Sequence, residues 1–463
     1  MNTQSPSAAG EEKLDFKRIL PIFVIVLVDL LGLTIIIPLL PLYATSYGAD
    51  ALTIGLLGAA YPIMQFVGAP ILGRLSDRYG RRPVLIVSQI GTLIGFLILG
   101  LANAMWLLFL SRIIDGISGA NIATAQAAIS DSTTEKTRTQ GLGLIGAAFG
   151  IGFIIGPVIA FVSLALSDNN FHVPAFAAAG FSAISLLLTI VWFKETLPES
   201  QRGQTTERSA FSPLAMLRAL SHPTVGILLL LIFAQQLAFG GFEQLLALFT
   251  LSRLGLNASG NALVFVFVGV IVVTVQGGLI GRWSRRFGDR RLIYGGLALL
   301  TVGLTLTGLT PAEPVPWYSR QALTDELTTG QTLPGEAPVT QEIAIELPDD
   351  DNTGWRGLLW LLAAMVPAAV GGGILQPAIN SLITKRVDGG DVGGLLGISA
   401  AFLSGANALA PLLGGAIFQA LGPSAPFIAW GILLLILFLV ALRYVRPGRE
   451  ETTSAGLARG ARH

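Results

Sequence analysis

Gly73-Arg-Leu-Ser-Asp-Arg-Tyr-Gly-Arg-Arg82 is a short basic stretch between two long apolar runs. It recurs 208 residues later as Gly281-Arg-Trp-Ser-Arg-Arg-Phe-Gly-Asp-Arg290. A second match, of Gly156-Pro157 with Ala410-Pro411, has an offset of 254 residues. The offsets differ by 46 residues, close to the length of an acidic segment at 311–354. This pattern indicates two copies of one unit, with an insertion in the second copy.

Twelve apolar runs surround these stretches. They lie at about 19–45, 51–73, 83–102, 104–130, 139–163, 173–193, 223–251, 260–281, 291–310, 356–384, 393–420 and 425–445. A bilayer core about 30 Å thick requires about 20 apolar residues in a helix. The runs are too long for barrel strands and lack strict alternation. We therefore predict an all-α integral membrane protein with twelve transmembrane helices in two six-helix repeats.

The composition excludes several classes of protein. Of the 463 residues, 52% are hydrophobic and 12% are charged, whereas soluble domains carry roughly 25% charged residues. A net charge of +1 provides no field for nucleic acid. Cysteine is absent and the three histidines are scattered, so we expect no metal site and no cofactor. A membrane enzyme is disfavoured because no Ser/His/Asp constellation is present.

Basic residues predict the orientation in the membrane. Of the 29 Lys and Arg residues, 25 lie in the two tails and in alternate loops, against three in the other loops. By the positive-inside rule both termini are cytoplasmic. The sequence has no eukaryotic targeting signal, which favours a bacterial inner membrane, and the two-repeat design predicts a monomer.

The predicted organisation has five parts. They are an N-terminal tail (1–18), a first bundle (19–193), a linker (194–222), a second bundle (223–445) and a C-terminal tail (446–463). Phe211, Leu214 and Leu217 in the linker have the spacing of a short amphipathic helix on the membrane surface.

The segment 311–354 carries nine acids and a single basic residue, Arg320. Its Pro, Thr and Gly content predicts an external, poorly packed insert. Covering the outer mouth, or binding a partner or cation, remain alternatives. A receptor that uses this insert as its binding surface is a further alternative.

Four motifs resemble those of one family. The first loop, Gly73 to Arg82, resembles the signature G-x-L-[AS]-D-R-x-G-R-[RK] of the major facilitator superfamily. Arg112-Ile-Ile-Asp-Gly-Ile-Ser-Gly119 resembles the fourth-span motif of that family. Gly146-Ala-Ala-Phe-Gly-Ile-Gly-Phe-Ile-Ile-Gly-Pro157 resembles the fifth-span motif typical of its proton-coupled drug antiporters. Val28-Asp-Leu-Leu-Gly-Leu-Thr-Ile-Ile-Ile-Pro-Leu-Leu-Pro41 is similar to the start of tetracycline/proton antiporters. Arg285 departs from the pattern, since it replaces the acid in the second copy.

The resemblance implies the major facilitator fold. It also implies proton-coupled efflux of a lipophilic small molecule by alternating access, with protons, the substrate and the bilayer as partners. The sequence lacks a G-x-x-x-x-G-K-[ST] loop, so ATP is not the expected energy source. A facilitator, an importer and an exporter of lipid-like amphiphiles remain open on the same fold.

Four charged residues lie well inside the apolar runs, namely Asp29, Arg112, Asp115 and Glu243. Such charges are costly in a membrane and mark functional sites. Asp29 is about 15 Å into the first run, near the midplane, and is the predicted proton carrier. A permanent ion pair that braces the first and fourth spans is the alternative.

Arg112 and Asp115 are three residues apart and share a helix face, so they are expected to pair. Arg112 stays protonated and can act only as a fixed positive charge. For a helix of 3.6 residues per turn, Gly119 and Gln126 also fall near this face, which predicts a polar stripe along the fourth span. An inert pair that aids packing is the alternative.

The mechanical residues are predicted in two places. Gly73 and Gly80 would let the chain turn between helices. Asp77 would accept hydrogen bonds from a helix N-terminus or a neighbouring arginine, and with Arg78 and Arg81 it would form a latch. The alternative is that these arginines only set topology.

In the fifth span, Gly152 and Gly156 would permit close helix packing and Pro157 would bend the helix.

A substrate pocket is predicted around Glu243, because the resemblance implies that the equivalent helices line the pocket in the family. Its expected lining residues are Gln235, Gln236, Phe239, Phe242, Gln376, Asn380 and Asn407. An apolar, aromatic wall with a few polar groups is typical of small-molecule sites. Core packing is the alternative for most of them.

Overall fold

The computed structural model describes residues 15–134, 137–203, 220–221, 225–330, 342–386 and 392–445. In this part of the chain, eleven helices are long and apolar enough to cross a membrane. A broken helix supplies the twelfth span, the fourth along the chain. The predicted all-α architecture of twelve spans is confirmed.

The helices follow the predicted runs. In the first half the spans are Phe16–Ile36 continued by Leu40–Ser46, then Ala51–Tyr79, Arg81–Gly100, Met105–Ser118 continued by Asn121–Asp131, Arg138–Ala165 and His172–Val191. In the second half they are Gly226–Leu254, Ala258–Val273 continued through a π-helical turn by Ile280–Phe287, then Asp289–Gly308, Arg356–Arg386, Val392–Leu421 and Ala425–Tyr444. The first span is interrupted before Leu40 because Pro38 has no N–H to donate.

The fourth span is broken at Gly119 and Ala120, and this break corrects the predicted helix face. Gln65 of the second span donates from Nε2 to the carbonyl of Gly119 at 3.0 Å. The helix restarts at Asn121, which is buried, whereas Gln126 is exposed. Gln126 therefore does not continue the polar face of Asp115.

The two halves meet through small residues. Gly55 of the second span faces the carbonyl of Pro411, and a Cβ there would overlap it. Gly415 of the eleventh span faces the carbonyl of Ala51 in the same way. Across this seam the backbone N–H of Ala51 donates to Oε1 of Gln419 at 3.0 Å. Glycine at these positions permits the close approach of the two spans.

We expect Gly415→Val to push the halves apart at this seam. The added side chain meets backbone, and overpacking of this kind costs about 1–3 kcal/mol. Because the chain has no cysteine, spin labels can be placed at exposed Leu101 and Leu421. The distance between the two labels should lengthen in Gly415→Val. It should remain unchanged in Gly405→Val, where an added Cβ makes only an ordinary contact. Identical distances in the two variants would refute the tight seam.

The insert is packed in its described parts, 311–330 and 342–354. Its helix, Arg320–Thr329, buries Leu323 and Leu327 on one face. The prediction of a poorly packed insert is therefore wrong for this part. The four-residue spacing of the two leucines marks a helix, but the acidic composition concealed it.

The insert helix touches both halves. The backbone N–H of Phe171 in the first half donates to the carbonyl of Gly330 at 2.9 Å. Asn257 in the second half donates from Nδ2 to Oε2 of Glu326 at 3.0 Å. The insert thus contacts both halves at the end of the bundle where the seam is tight, which we name the insert end. The opposite end, which carries Gly80, is the basic end.

The predicted amphipathic linker helix, with Phe211, Leu214 and Leu217, lies outside the described residues.

Candidate functional site

The buried charges of the first half lie together. Arg112 Nη2 is 3.0 Å from Oδ2 of Asp115, and both residues are 2% exposed. The guanidinium of Arg112 also lies over the rings of Phe96 and Tyr61, at 5.6 and 5.7 Å from their centroids. The predicted pair is therefore formed, and Arg112 lies between the acid and two aromatic faces.

Asp29 has a neutral partner. Nδ2 of Asn121 donates to its Oδ2 at 3.0 Å. Its Oδ1 is buried and has no donor among the described residues. Asp115 lies within electrostatic range of Asp29, while Arg112 forms its ion pair with Asp115. The structure thus favours an Asp29 that is held by an amide over one locked in an ion pair.

Sequence reasoning missed Asn121. The break at Gly119 makes it the first residue of the second helix segment, which places it against the first span. An amide directly after a glycine in an apolar run is the signal that was available.

The fifth span packs closely on the first through its glycines. A Cβ at Gly156 would overlap Thr34, and one at Gly152 would lie 3.6 Å from the same side chain. Pro157 lies within the continuous helix Arg138–Ala165. The close approach places the fifth span against the segment that carries Asp29.

At the basic end, one of the two predicted turn glycines makes the turn. Gly80 has φ +106°, a conformation that glycine adopts readily. Gly73 lies inside the helix Ala51–Tyr79, so its predicted role in the turn is wrong. The apolar run ends near Gly73, but the helix continues to Tyr79 and the chain turns at Gly80.

Arg81 is the centre of the basic end. It is 3% exposed and binds Asp77 from Nη1 at 2.6 Å and Asp131 from Nε at 2.8 Å. Arg78 is exposed and lies over the ring of its neighbour Tyr79. The latch therefore consists of one buried arginine between two acids.

A different acid, Glu195, caps the third span. Its carboxylate accepts the backbone N–H groups of Arg81 at 2.9 Å and of Arg82 at 3.1 Å. Partial burial acts to raise the pKa of Glu195, but the backbone hydrogen bonds, which include those of Leu197 and Thr196, outweigh it and hold the pKa below its ordinary value. Sequence reasoning had offered Asp77 for this cap.

We expect Glu195→Gln to lose about 1 kcal/mol of stability at neutral pH, because a charged acceptor binds more strongly than a neutral one. Because the pKa of Glu195 in the folded state lies below its ordinary value of about 4.5, the ionised carboxylate stabilises the folded state at pH values above about 4.5. This stabilisation is lost as the pH falls below about 4.5 and through the pKa of the folded state. Unfolding in detergent should therefore show a difference that disappears in acid. The control is Glu199→Gln, whose side chain is 89% exposed. A difference that persists in acid would refute the charged cap.

The second half carries a corresponding cluster around Asp289. This buried acid accepts from Lys385 at 2.5 Å and from Ser381 at 2.6 Å, and also from Ser284. The sequence identifies this stretch as the second copy of the first loop but assigns no role to Asp289.

The two clusters occupy equivalent positions with opposite charges. Asp289 corresponds to Arg81 at the offset of 208, and Lys385 corresponds to Asp131 at the offset of 254. Each repeat therefore builds the same ion pair, and the acid and the base have exchanged places. The offsets found in the sequence contained this signal.

The predicted substrate residues converge only in part. Nε2 of Gln236 on the seventh span donates to Oδ1 of Asn407 on the eleventh at 2.7 Å. The ring of Phe239 lies against Gly372 of the tenth span. Phe242 differs from the prediction, because it is 2% exposed and packs in the apolar core against Phe427.

The remaining four differ in their surroundings. Gln235 is buried, while Gln376, Asn380 and Glu243 are half-buried. Gln235, Asn380 and Glu243 each carry a buried oxygen without a donor among the described residues. A carboxylate in that position attracts a proton or a cationic ligand.

A twelve-span bundle of two repeats, with an acid and an ion pair held inside its first repeat, is the architecture of a membrane transporter. The chain belongs to the Major Facilitator Superfamily, whose family model matches residues 22–323 and 353–461.

The chain is similar to known transport and resistance proteins over nearly its whole length. It is 30% identical over 429 residues to the tetracycline resistance protein, class C, of Escherichia coli, covering 91% of this chain and 95% of the relative. It is 27% identical over 430 residues to multidrug resistance protein 1 of Bacillus subtilis (strain 168), covering 92% and 95%. The crystal structure of the human organic anion transporter MFSD10 (TETRAN) has the same fold, with a TM-score of 0.59 at 23% identity, covering 93% of this chain and 100% of that one.

Proposed function

We propose that the protein is a proton-coupled antiporter that exports lipophilic small molecules by alternating access. The observation that carries this proposal is Asp29, an acid in the first span whose hydrogen-bond partner is the neutral amide of Asn121. An acid without a fixed cation can bind and release a proton during a transport cycle. The resistance proteins among its relatives support efflux as the direction.

Asp29 is the proposed proton carrier, and Arg112 with Asp115 tunes it. Arg112 keeps its charge, so any change in its pairing changes the field at the neighbouring acids. Asp115 lies within electrostatic range of Asp29, which couples the proton on one acid to the arrangement of the other.

The proposed substrate site lies among the seventh, tenth and eleventh spans. Gln236 and Asn407 supply polar contacts and Phe239 an aromatic face. Glu243 is the proposed contact for a cationic group or a second proton. Gln235, Gln376 and Asn380 complete the polar set.

The proposed gating parts are mechanical. Gly80, Asp77 and Arg81 form the latch at the basic end, with Arg78 beside it. Gly152, Gly156 and Pro157 allow the fifth span to move against the first. Gly73 remains in this group only as part of the helix that ends at the latch.

The distribution of basic residues supports cytoplasmic termini. On this basis the insert end faces outward. The bacterial resistance proteins among the relatives support a bacterial inner membrane. We divide the chain into the bundles 19–193 and 223–445 with the linker 194–222, and propose a monomer because each chain holds both halves.

Reconstitution in liposomes tests the proposal. Purified protein is exposed to an imposed proton gradient with a panel of lipophilic compounds, tetracycline first. We expect gradient-driven accumulation of at least one compound, lost when the gradient is collapsed by an ionophore. Uptake that only equilibrates the compound across the membrane, at the same rate with and without the proton gradient, would support a facilitator instead.

A further inference from the structure

A small cavity of about 10 Å³ lies beside Asp29, with Gln89 of the third span and Asn121 of the fourth in its wall. This volume is close to the smallest that holds one water molecule. Oδ1 of Asp29 and Oε1 of Gln89 are buried, and neither has a donor among the described residues. Since buried acceptors are rarely left unpaired, the wall is suited to a ligand with two protons to donate.

The orientation of the Gln89 amide follows from a chain of hydrogen bonds. Its Nε2 donates to Oγ of Ser185 at 2.7 Å, and that hydroxyl donates to the carbonyl of Ile25 at 3.1 Å. A hydroxyl carries one proton, so Ser185 must accept from the amide nitrogen. The amide oxygen therefore remains as an acceptor.

We propose that the cavity binds one water molecule that bridges Asp29 and Gln89, and that Gln89 thereby sets the pH at which Asp29 gains its proton. One water has two protons for the two oxygens when Asp29 is ionised. When Asp29 is protonated, its O–H donates to the water. Gln89 is a positioning residue, and the inference rests on the proposed role of Asp29.

Other ionisable groups act on Asp29 from outside the cavity. Asp115 and Tyr61 lie within electrostatic range of it, and Arg112 is paired with Asp115. Among the described residues that line the cavity, Asp29 is the sole ionisable one. A substitution at Gln89 therefore changes the water site without removing a charge.

Two substitutions should shift the pH profile of transport in opposite directions. Gln89→Leu removes the acceptor and with it the water. Loss of the hydrogen bond from this water destabilises the ionised form of Asp29 more than the protonated form. The midpoint of the pH profile should therefore rise by about one pH unit, roughly tenfold in proton affinity. Ser185→Ala frees the amide to turn its nitrogen towards the carboxylate, so the midpoint should fall. The control is Gln126→Leu at an exposed position, where no shift is expected.

Infrared difference spectra on acidification provide a readout that is independent of transport. The carboxyl band of Asp29 is assigned by its loss in Asp29→Asn. In Gln89→Leu this band should move to higher frequency, and a water band sensitive to heavy-oxygen water should disappear.

The outcomes separate the two proposals. If the Asp29 band is present but Gln89→Leu changes neither that band nor the midpoint, the water site is refuted and the proton carrier stands. If Asp29→Asn retains proton movement and removes no band, the proposed function itself fails at Asp29.

Discussion

Asp29→Asn is expected to abolish proton-driven transport, to the level of empty liposomes, while substrate exchange continues. Asparagine has nearly the same shape and still accepts a hydrogen bond from Asn121, but it cannot bind and release a proton. Exchange of labelled for unlabelled substrate requires no net proton transfer, so it should persist. The two assays together isolate coupling from binding.

The matched control for this experiment is Asp325→Asn, an exposed acid on the insert helix. It should leave both driven transport and exchange unchanged. If Asp29→Asn retains driven transport, the carrier is another group. If it loses exchange as well as driven transport, Asp29 contributes to substrate binding or to folding instead.

The second large effect is expected at the buried ion pair. Arg112→Gln leaves Asp115 as an unpaired acid that is 2% exposed. Removal of one partner of a buried pair costs about 3–5 kcal/mol. We expect a corresponding loss of stability in detergent, measured by thermal or denaturant unfolding. Arg78→Gln, at an exposed position, should change stability by less than about 0.5 kcal/mol.

The double variant Arg112→Gln with Asp115→Asn separates structure from function. Because both charges are removed, most of the lost stability should return. Proton-driven transport should not return, since the fixed positive charge is absent. If the double variant is as unstable as the single one, the pair is not the source of the loss.

Residues of a single helix were predicted well. The twelve spans follow from hydropathy, and the pairing of Arg112 with Asp115 follows from their three-residue spacing. The repeat follows from matched loops. All of these depend on local periodicity or on comparison of the chain with itself.

Contacts between helices were not predictable in the same way. At the break in the fourth span, Gln65 of the second span donates to the carbonyl of Gly119, a contact that no local pattern predicts. Beyond the break, Asn121 is buried and Gln126 is exposed. Glu195 caps a helix that begins 114 residues earlier in the chain. The packed insert depends on Leu323 and Leu327, which are buried in the apolar core and so need the rest of the fold to cover them.

The direction of coupling can be measured most directly by the sign of a pH change. Liposomes containing the protein and a pH dye are loaded with a transported compound and diluted into compound-free buffer at equal pH. Efflux of compound through an antiporter draws protons inward, so we expect the interior to become more acidic. This change should be absent in Asp29→Asn. No pH change during efflux, or a more alkaline interior, would contradict proton antiport.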